Sequence, residues 1–104
     1  MGSTDSWETL FVPDAQEDFK SLDKGLQRQA IKQIEKIEED PINTGKHLFG
    51  DLVPLKKLYF DRKNYRVVFE INEKAKKIII WGIGLRAKSE IYETVKQRIA
   101  SFKH

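Results

Sequence analysis

An α+β fold of the order β-α-α-β-β-β-α, with two N-terminal helices and one C-terminal helix packed on a curved antiparallel sheet, is what this sequence predicts. Three observations lead there. Apolar residues recur at helical spacing in residues 14–40, three strand-like runs follow in close succession over 55–84, and a second helical stripe closes the chain. The runs are joined by short polar connectors, DRKN and NEKAK, of the length antiparallel hairpins use.

Each element has its own warrant. Residues 7–12, WETLFV, form a short strand candidate that Pro13-Asp14 punctuates, with Asp14 expected to cap the helix AQEDFKSL. After a break at residues 23–25, Leu26, Ala30, Ile34 and Ile37 recur on one helical face with Ile31 beside them, until Asp40-Pro41 stops the run. Residues 42–54, INTGKHLFGDLVP, are turn-rich. The strands are LKKLYF (55–60), YRVVFEI (65–71) and KIIIWGIG (77–84). A final helix from about Ser89 to Phe102 places Ile91, Val95, Ile99 and Phe102 on one stripe. Trp7 and Trp81 fall within strand-like runs and are core candidates.

Composition bounds the function. At 104 residues the chain is a single domain, read as a flexible start or tag remnant over 1–6 and a folded unit over 7–104. No apolar run approaches the roughly 20 residues a membrane span needs, and no secretory leader is recognisable, so a cytoplasmic location is expected. There is no cysteine, and His47 and His104 are the two imidazoles, which argues against a metal centre, a thiol nucleophile or a bound cofactor. His47 reads as structural and His104 as terminal. The net charge of +3 divides unevenly, with residues 1–45 at −5 and residues 46–104 at +8. The basic half suits a polyanion.

Strand alternation shows where those cations fall. In the run 65–71, Tyr65, Val67, Phe69 and Ile71 point towards the helices, which leaves Arg66 on an open face. Lys57 and Tyr59 share that face if Leu58 and Phe60 pack inward, with Lys56 alternating alongside the latter pair. Arg86 follows the last strand in GIGLRAKSEIY and would curl over the same face, with Lys88 beyond it and Tyr92 opening the final helix. Each residue also has an ordinary reading. Arg66 fits a cross-strand pair with Glu70 or Asp61, Arg86 a surface loop, Tyr92 a roof over the core, and Lys57 a solvated face.

The segments GKHLFGDL, YRVVFEI and GLRAKSEIY resemble the RelE/ParE superfamily of bacterial type II toxin–antitoxin systems, and most closely its RelE branch, over roughly residues 8–102. The resemblance implies a ribosome-dependent mRNA endonuclease that enters the ribosomal A site, contacts ribosomal RNA, cuts the codon there and inhibits translation. It implies a cognate antitoxin as protein partner, and no membrane. Position by position it assigns Lys57, Arg66, Arg86 and Tyr92 to catalysis, and Lys56, Tyr59 and Lys88 to RNA binding. Where RelE has a second lysine two residues after the first, this chain has Tyr59, an uncharged phenol at neutral pH, so the general base stays open.

The chemistry those groups offer follows from their form. Attack by an RNA 2′-hydroxyl on the adjacent phosphorus needs in-line alignment, removal of the hydroxyl proton, neutralisation of the phosphorane and protonation of the leaving 5′-oxygen. Arg66 and Arg86 present planar, permanently charged donor forks, Tyr92 can stack or orient, and Lys57 acts as base only where neighbouring cations and burial favour its neutral amine. Without a tuned acid–base pair, free RNA should be cut slowly and the ribosome should supply alignment. Two other classes fit the fold: a ParE-like gyrase inhibitor, and a noncatalytic RNA- or ribosome-binding module. The acidic outer face of residues 14–40 and the stripe Ile91 to Phe102 are expected antitoxin docking surfaces, with the last helix only marginally held in the free protein.

Overall fold

The computed structural model describes residues 7–52, 54–85 and 90–102; the N-terminal stretch 1–6, Arg86, Lys88, Ser89 and His104 lie outside the described residues. The elements are β1 (Glu8–Phe11), α1 (Pro13–Ser21), α2 (Lys24–Glu39), β2 (Lys46–His47), a single 3-10 turn (Gly50–Leu52), β3 (Lys56–Phe60), β4 (Tyr65–Asn72), β5 (Lys77–Leu85) and α3 (Glu90–Phe102). The expected order is therefore found, with one two-residue strand added inside the turn-rich stretch.

The sheet runs β1-β5-β4-β3-β2. β3, β4 and β5 are the expected antiparallel meander, whereas β1 lies parallel to β5, with Phe11 opposite Ile80. This makes the sheet mixed instead of wholly antiparallel. Hairpin lengths specify sequential neighbours only; β1 is separated from the meander by two helices, and the return path brings it beside the last strand.

Helix ends follow local chemistry. Pro13 opens α1, where its missing N–H costs nothing, and Val12 occupies the cap position without a side-chain bond. Asp14, expected as the cap, instead lies inside the first turn, where its charge favours the helix N-terminus. Asp23 does cap α2, accepting from Leu26 N–H at 2.8 Å. Ala30, Ile34 and Ile37 of α2 are buried against the sheet face carrying Val67, Phe69, Ile78 and Ile80, while Ile31 stays exposed.

The β3–β4 connection is tight and strained. Asp61, Arg62 and Lys63 all have positive φ, between 53° and 71°, and Asn64 N–H closes the turn on Asp61 C=O at 2.9 Å. Two-residue hairpin turns of this hand favour Asn-Gly, because side chains in the left-handed region cost roughly 1 kcal/mol each. Replacing Arg62-Lys63 with Asn-Gly is expected to raise unfolding free energy by about 1–2 kcal/mol in urea titrations.

α3 covers the opposite face. A Cβ on Gly82 would sit 2.9 Å from both Ile91 Cδ1 and Val95 Cγ2, so the helix rests directly on the β5 backbone. A bulge permits this: Val68 pairs with Gly82 and Phe69 with Ile80, leaving Trp81 as the extra residue. Trp81 then turns to the α3 side, donates to Glu70 Oε1 at 3.0 Å and meets Phe102 edge-on at 5.3 Å. Arg98 fastens the helix. Its guanidinium donates to both carboxylate oxygens of Asp18 at 2.6 and 3.0 Å and to Trp81 C=O at 3.0 Å. Asp18 in turn accepts from Ile83 N–H at 3.0 Å, on the edge of β5 that β1 no longer covers. These hydrogen bonds to Asp18 hold Arg98 above its ordinary pKa, so its guanidinium stays charged.

Candidate functional site

Alternation along β3 and β4 brings Lys57, Tyr59 and Arg66 to one face, as the sequence implied. Tyr59 lies directly opposite Arg66, and Lys57 opposite Val68. That face is not open, however. The first turns of α3 lie across it, and Arg66 is buried, with 7 % of its surface exposed. Facing helices were expected on one side only, because amphipathic stripes do not say which side of a sheet they cover.

Arg66 lies between two aromatic rings. Its guanidinium carbon is 4.4 Å from the Tyr92 centroid and 5.3 Å from the Tyr59 centroid. Lys57 Nζ lies 5.2 Å from the Tyr59 ring, so cation, phenol, cation and phenol follow one another across the face. Three backbone choices make this row possible. Gly84 opposite Arg66 leaves space for Ile91, the helix start carries Tyr92 over the sheet, and the β3–β4 register aligns Tyr59 with Arg66.

The guanidinium is incompletely satisfied. Arg66 Nε and Nη1 and the Tyr92 hydroxyl are buried without a hydrogen-bond partner among the described residues. Glu70, one proposed partner of Arg66, instead receives the Trp81 indole N–H. Leaving such a group unpaired costs about 1–3 kcal/mol, partly offset by two cation–π contacts of about 0.5–2 kcal/mol each. A buried cation with spare donors is suited to an anion.

Lys56, which the resemblance groups with the RNA-binding residues, lies on the other face of β3 from Lys57. It points to the α2 face, is 4 % exposed, donates to Ile42 C=O at 2.9 Å and lies over the Phe69 ring at 5.9 Å. A residue beside Lys57 in sequence must face the opposite side of the strand. Burial holds its ammonium below the ordinary 10.5, with Asp40 acting in the other direction. The unfolded chain therefore binds more protons just below pH 10.5, and unfolding free energy contributed by Lys56 rises with pH through that window. Denaturant titrations from pH 8 to 10.5 should show the wild type gaining on Lys56→Met; a constant gap contradicts this.

Lys46 is a basic residue that the sequence did not single out. β2 places it directly opposite Lys57, and directly opposed residues share a face. The signal was hidden because a two-residue strand in a turn-rich segment has no periodicity. His47, the neighbour, is exposed on the other side of β2. Among the described residues no group of three or more His, Asp or Glu side chains is placed to hold a metal ion, and no described helix is long and apolar enough to cross a membrane.

Comparison with known proteins follows the same lines. The profile of the ParE toxin of the type II toxin–antitoxin system, parDE, matches residues 10–90. A curated Escherichia coli protein described as a RelE-like toxin is 24% identical over 93 residues, spanning 89% of this chain and 97% of its own. Among solved structures, an arginine double mutant of E. coli toxin RelE in the free state superposes with a TM-score of 0.75 at 20% identity, covering 90% of this chain and 98% of that one. RelE within the intact E. coli RelBE toxin–antitoxin complex gives a TM-score of 0.67 at 17% identity, over 79% of this chain and 99% of that one. At these identities the structural matches speak for the fold, and the family profile for descent: the chain belongs to the RelE/ParE superfamily of toxins from type II toxin–antitoxin systems.

Proposed function

We propose that this protein is a ribosome-dependent mRNA endonuclease that cuts mRNA in the ribosomal A site and so inhibits translation. The observation that carries the reading is Arg66, buried between Tyr59 and Tyr92 with unpaired donors and with Lys57 beside it. In the reaction, the 2′-oxygen attacks the adjacent phosphorus as its proton passes to a base. A 2′,3′-cyclic phosphate forms, and the 5′-oxygen departs with a proton. Arg66 and Arg86 neutralise the phosphorane, Arg86 on the leaving-group side, while Tyr92 orients the nucleotide. Lys57 is the candidate base, the rings of Tyr59 and Tyr92 restricting water around the cations. No step calls for a metal ion or a cofactor.

A small antitoxin is the expected protein partner, as in the RelBE complex for its own toxin. The exposed end of α3, with Phe102 61 % exposed, and the outer face of residues 14–40, which carry more acidic than basic groups, are the surfaces offered to it. Amide exchange in the final helix faster than in β4 would agree with a helix that a partner can displace; equal protection contradicts it.

The ParE profile supports a second reading, gyrase inhibition. Primer extension on an mRNA translated in a purified bacterial system, beside the same mRNA without ribosomes, separates the two when paired with a gyrase supercoiling assay. Cuts confined to translated codons, with supercoiling unaffected, are expected. Inhibited supercoiling without cuts would transfer the assignment to the gyrase reading.

A further inference from the structure

Lys46 and Lys57 form a directly opposed cross-strand pair of like charges. Such a pair destabilises a sheet unless something anionic lies over it. Among the described residues neither lysine makes an ion pair, although the chain has acidic groups that pair elsewhere, as Glu8 does with Lys77 and Asp18 with Arg98. Three residues beyond Lys46, Phe49 is 85 % exposed, the most exposed large apolar side chain described. It leads into the 3-10 turn Gly50–Leu52, which Leu52 N–H closes on Phe49 C=O at 3.3 Å, and that turn abuts α3 on the site's own face. A phenylalanine displayed three residues from a pair of opposed lysines suits a ligand that offers both a flat apolar surface and negative charge. Single-stranded nucleic acid offers both.

We infer that Lys46 and Phe49 form a second nucleotide subsite, in which Lys46 binds a backbone phosphate and Phe49 stacks on the base of the nucleotide next to the one held at Arg66. This rests on the RNA-cleaving reading and extends it. Two strand spacings of about 4.8 Å and two residues of about 3.3 Å separate Lys46 from Arg66, or about 12 Å between Cα positions. More than one nucleotide is needed to cross that distance. The substrate is therefore an unpaired run in which at least two consecutive nucleotides are gripped, one at Lys57, Tyr59, Arg66 and Tyr92 and the other at Lys46 and Phe49. A folded duplex end does not present its bases this way.

The test is fluorescence anisotropy with a labelled six-nucleotide 2′-O-methyl RNA, which cannot be cut, titrated with wild type, Lys46→Ala, Phe49→Ala, Phe49→Tyr and Arg66→Met over a range of salt. Lys46 and Phe49 are exposed, so their variants should melt no lower than wild type, Lys46→Ala slightly higher with the like-charge pair removed, which rules out misfolding as the cause. Phe49→Ala should weaken binding about tenfold and Phe49→Tyr should restore it, as stacking requires. Lys46→Ala should lower the slope of log affinity against log salt by about 0.7, the signature of one lost single-strand phosphate contact. Both losses should vanish on a labelled 2′-O-methyl mononucleotide, which fills the Arg66 position alone. Lys46 and Phe49 variants that bind the six-mer as wild type does, while Arg66→Met does not, would overturn the subsite and leave the RNA reading standing. No binding by wild type, or no effect of Arg66→Met, would defeat the RNA reading and the subsite with it. If Phe49→Ala spares RNA binding and weakens only a purified antitoxin, the aromatic serves a protein interface and the inference is wrong.

Discussion

Arg66→Met is expected to lower cleavage of ribosome-bound mRNA by roughly 10²–10³ while leaving unfolding free energy within about 1 kcal/mol of wild type. The two halves of that result have one cause. The guanidinium gives up water on burial and leaves Nε and Nη1 unpaired among the described residues, and its contacts with Tyr59 and Tyr92 offset part of that cost. Methionine fills similar space without the polar penalty. An arginine held for structure would behave otherwise: removing one member of a buried ion pair costs about 3–5 kcal/mol. Arg66→Lys should also fail to cleave, since an ammonium keeps the charge but loses the planar fork that stacks between the rings and grips two phosphate oxygens. Chemical denaturation and single-turnover cleavage on the same preparations check both parts.

Asp18→Ala shows the contrasting case. The Arg98–Asp18 pair is nearly buried, with side chains 13% and 19% exposed, and the aspartate also receives Ile83 N–H. Its loss leaves Arg98 with the Trp81 carbonyl and the more exposed Asp14 at 3.7 Å, and strands an edge amide, at a cost of about 3 kcal/mol. In a domain of this size that lowers the melting temperature by about 10–20 °C. Asp18→Asn keeps a carbonyl acceptor and should lie between the two. Because α3 carries Tyr92 over Arg66, the Asp18→Ala protein should also lose cleavage, whereas its melting point, unlike that of Arg66→Met, falls with it. A calorimetric scan in which Asp18→Ala melts like wild type contradicts the role assigned to the pair.

How much of this was legible before folding depends on how locally each feature is encoded. Three antiparallel strands, the helical hairpin and the closing helix follow from periodicity and turn chemistry, and the face shared by Lys57, Tyr59 and Arg66 follows from alternation alone. What escaped depends on distant parts of the chain. The parallel seat of β1 beside β5 is decided by the path of two intervening helices. Burial of Arg66 depends on α3 crossing to its face, which requires glycines at 82 and 84 and a bulge at Trp81 that no strand pattern announces. Lys56 shows the converse. Family position grouped it with the RNA-binding residues, yet strand alternation already placed it on the other face, against Ile42 and Phe69. Lys46 was missed because its strand is two residues long.

The central claim is that Arg66 is kept buried and unpaired in order to meet a phosphate of translating mRNA. Primer extension on an mRNA translated by purified ribosomes, run with wild type and Arg66→Met at equal folded concentration, tests it most directly. The account predicts cuts within translated codons for wild type, none without ribosomes, and near-complete loss with Arg66→Met. Undiminished cutting by Arg66→Met, or a wild-type protein that stalls gyrase and leaves translated mRNA whole, would contradict it.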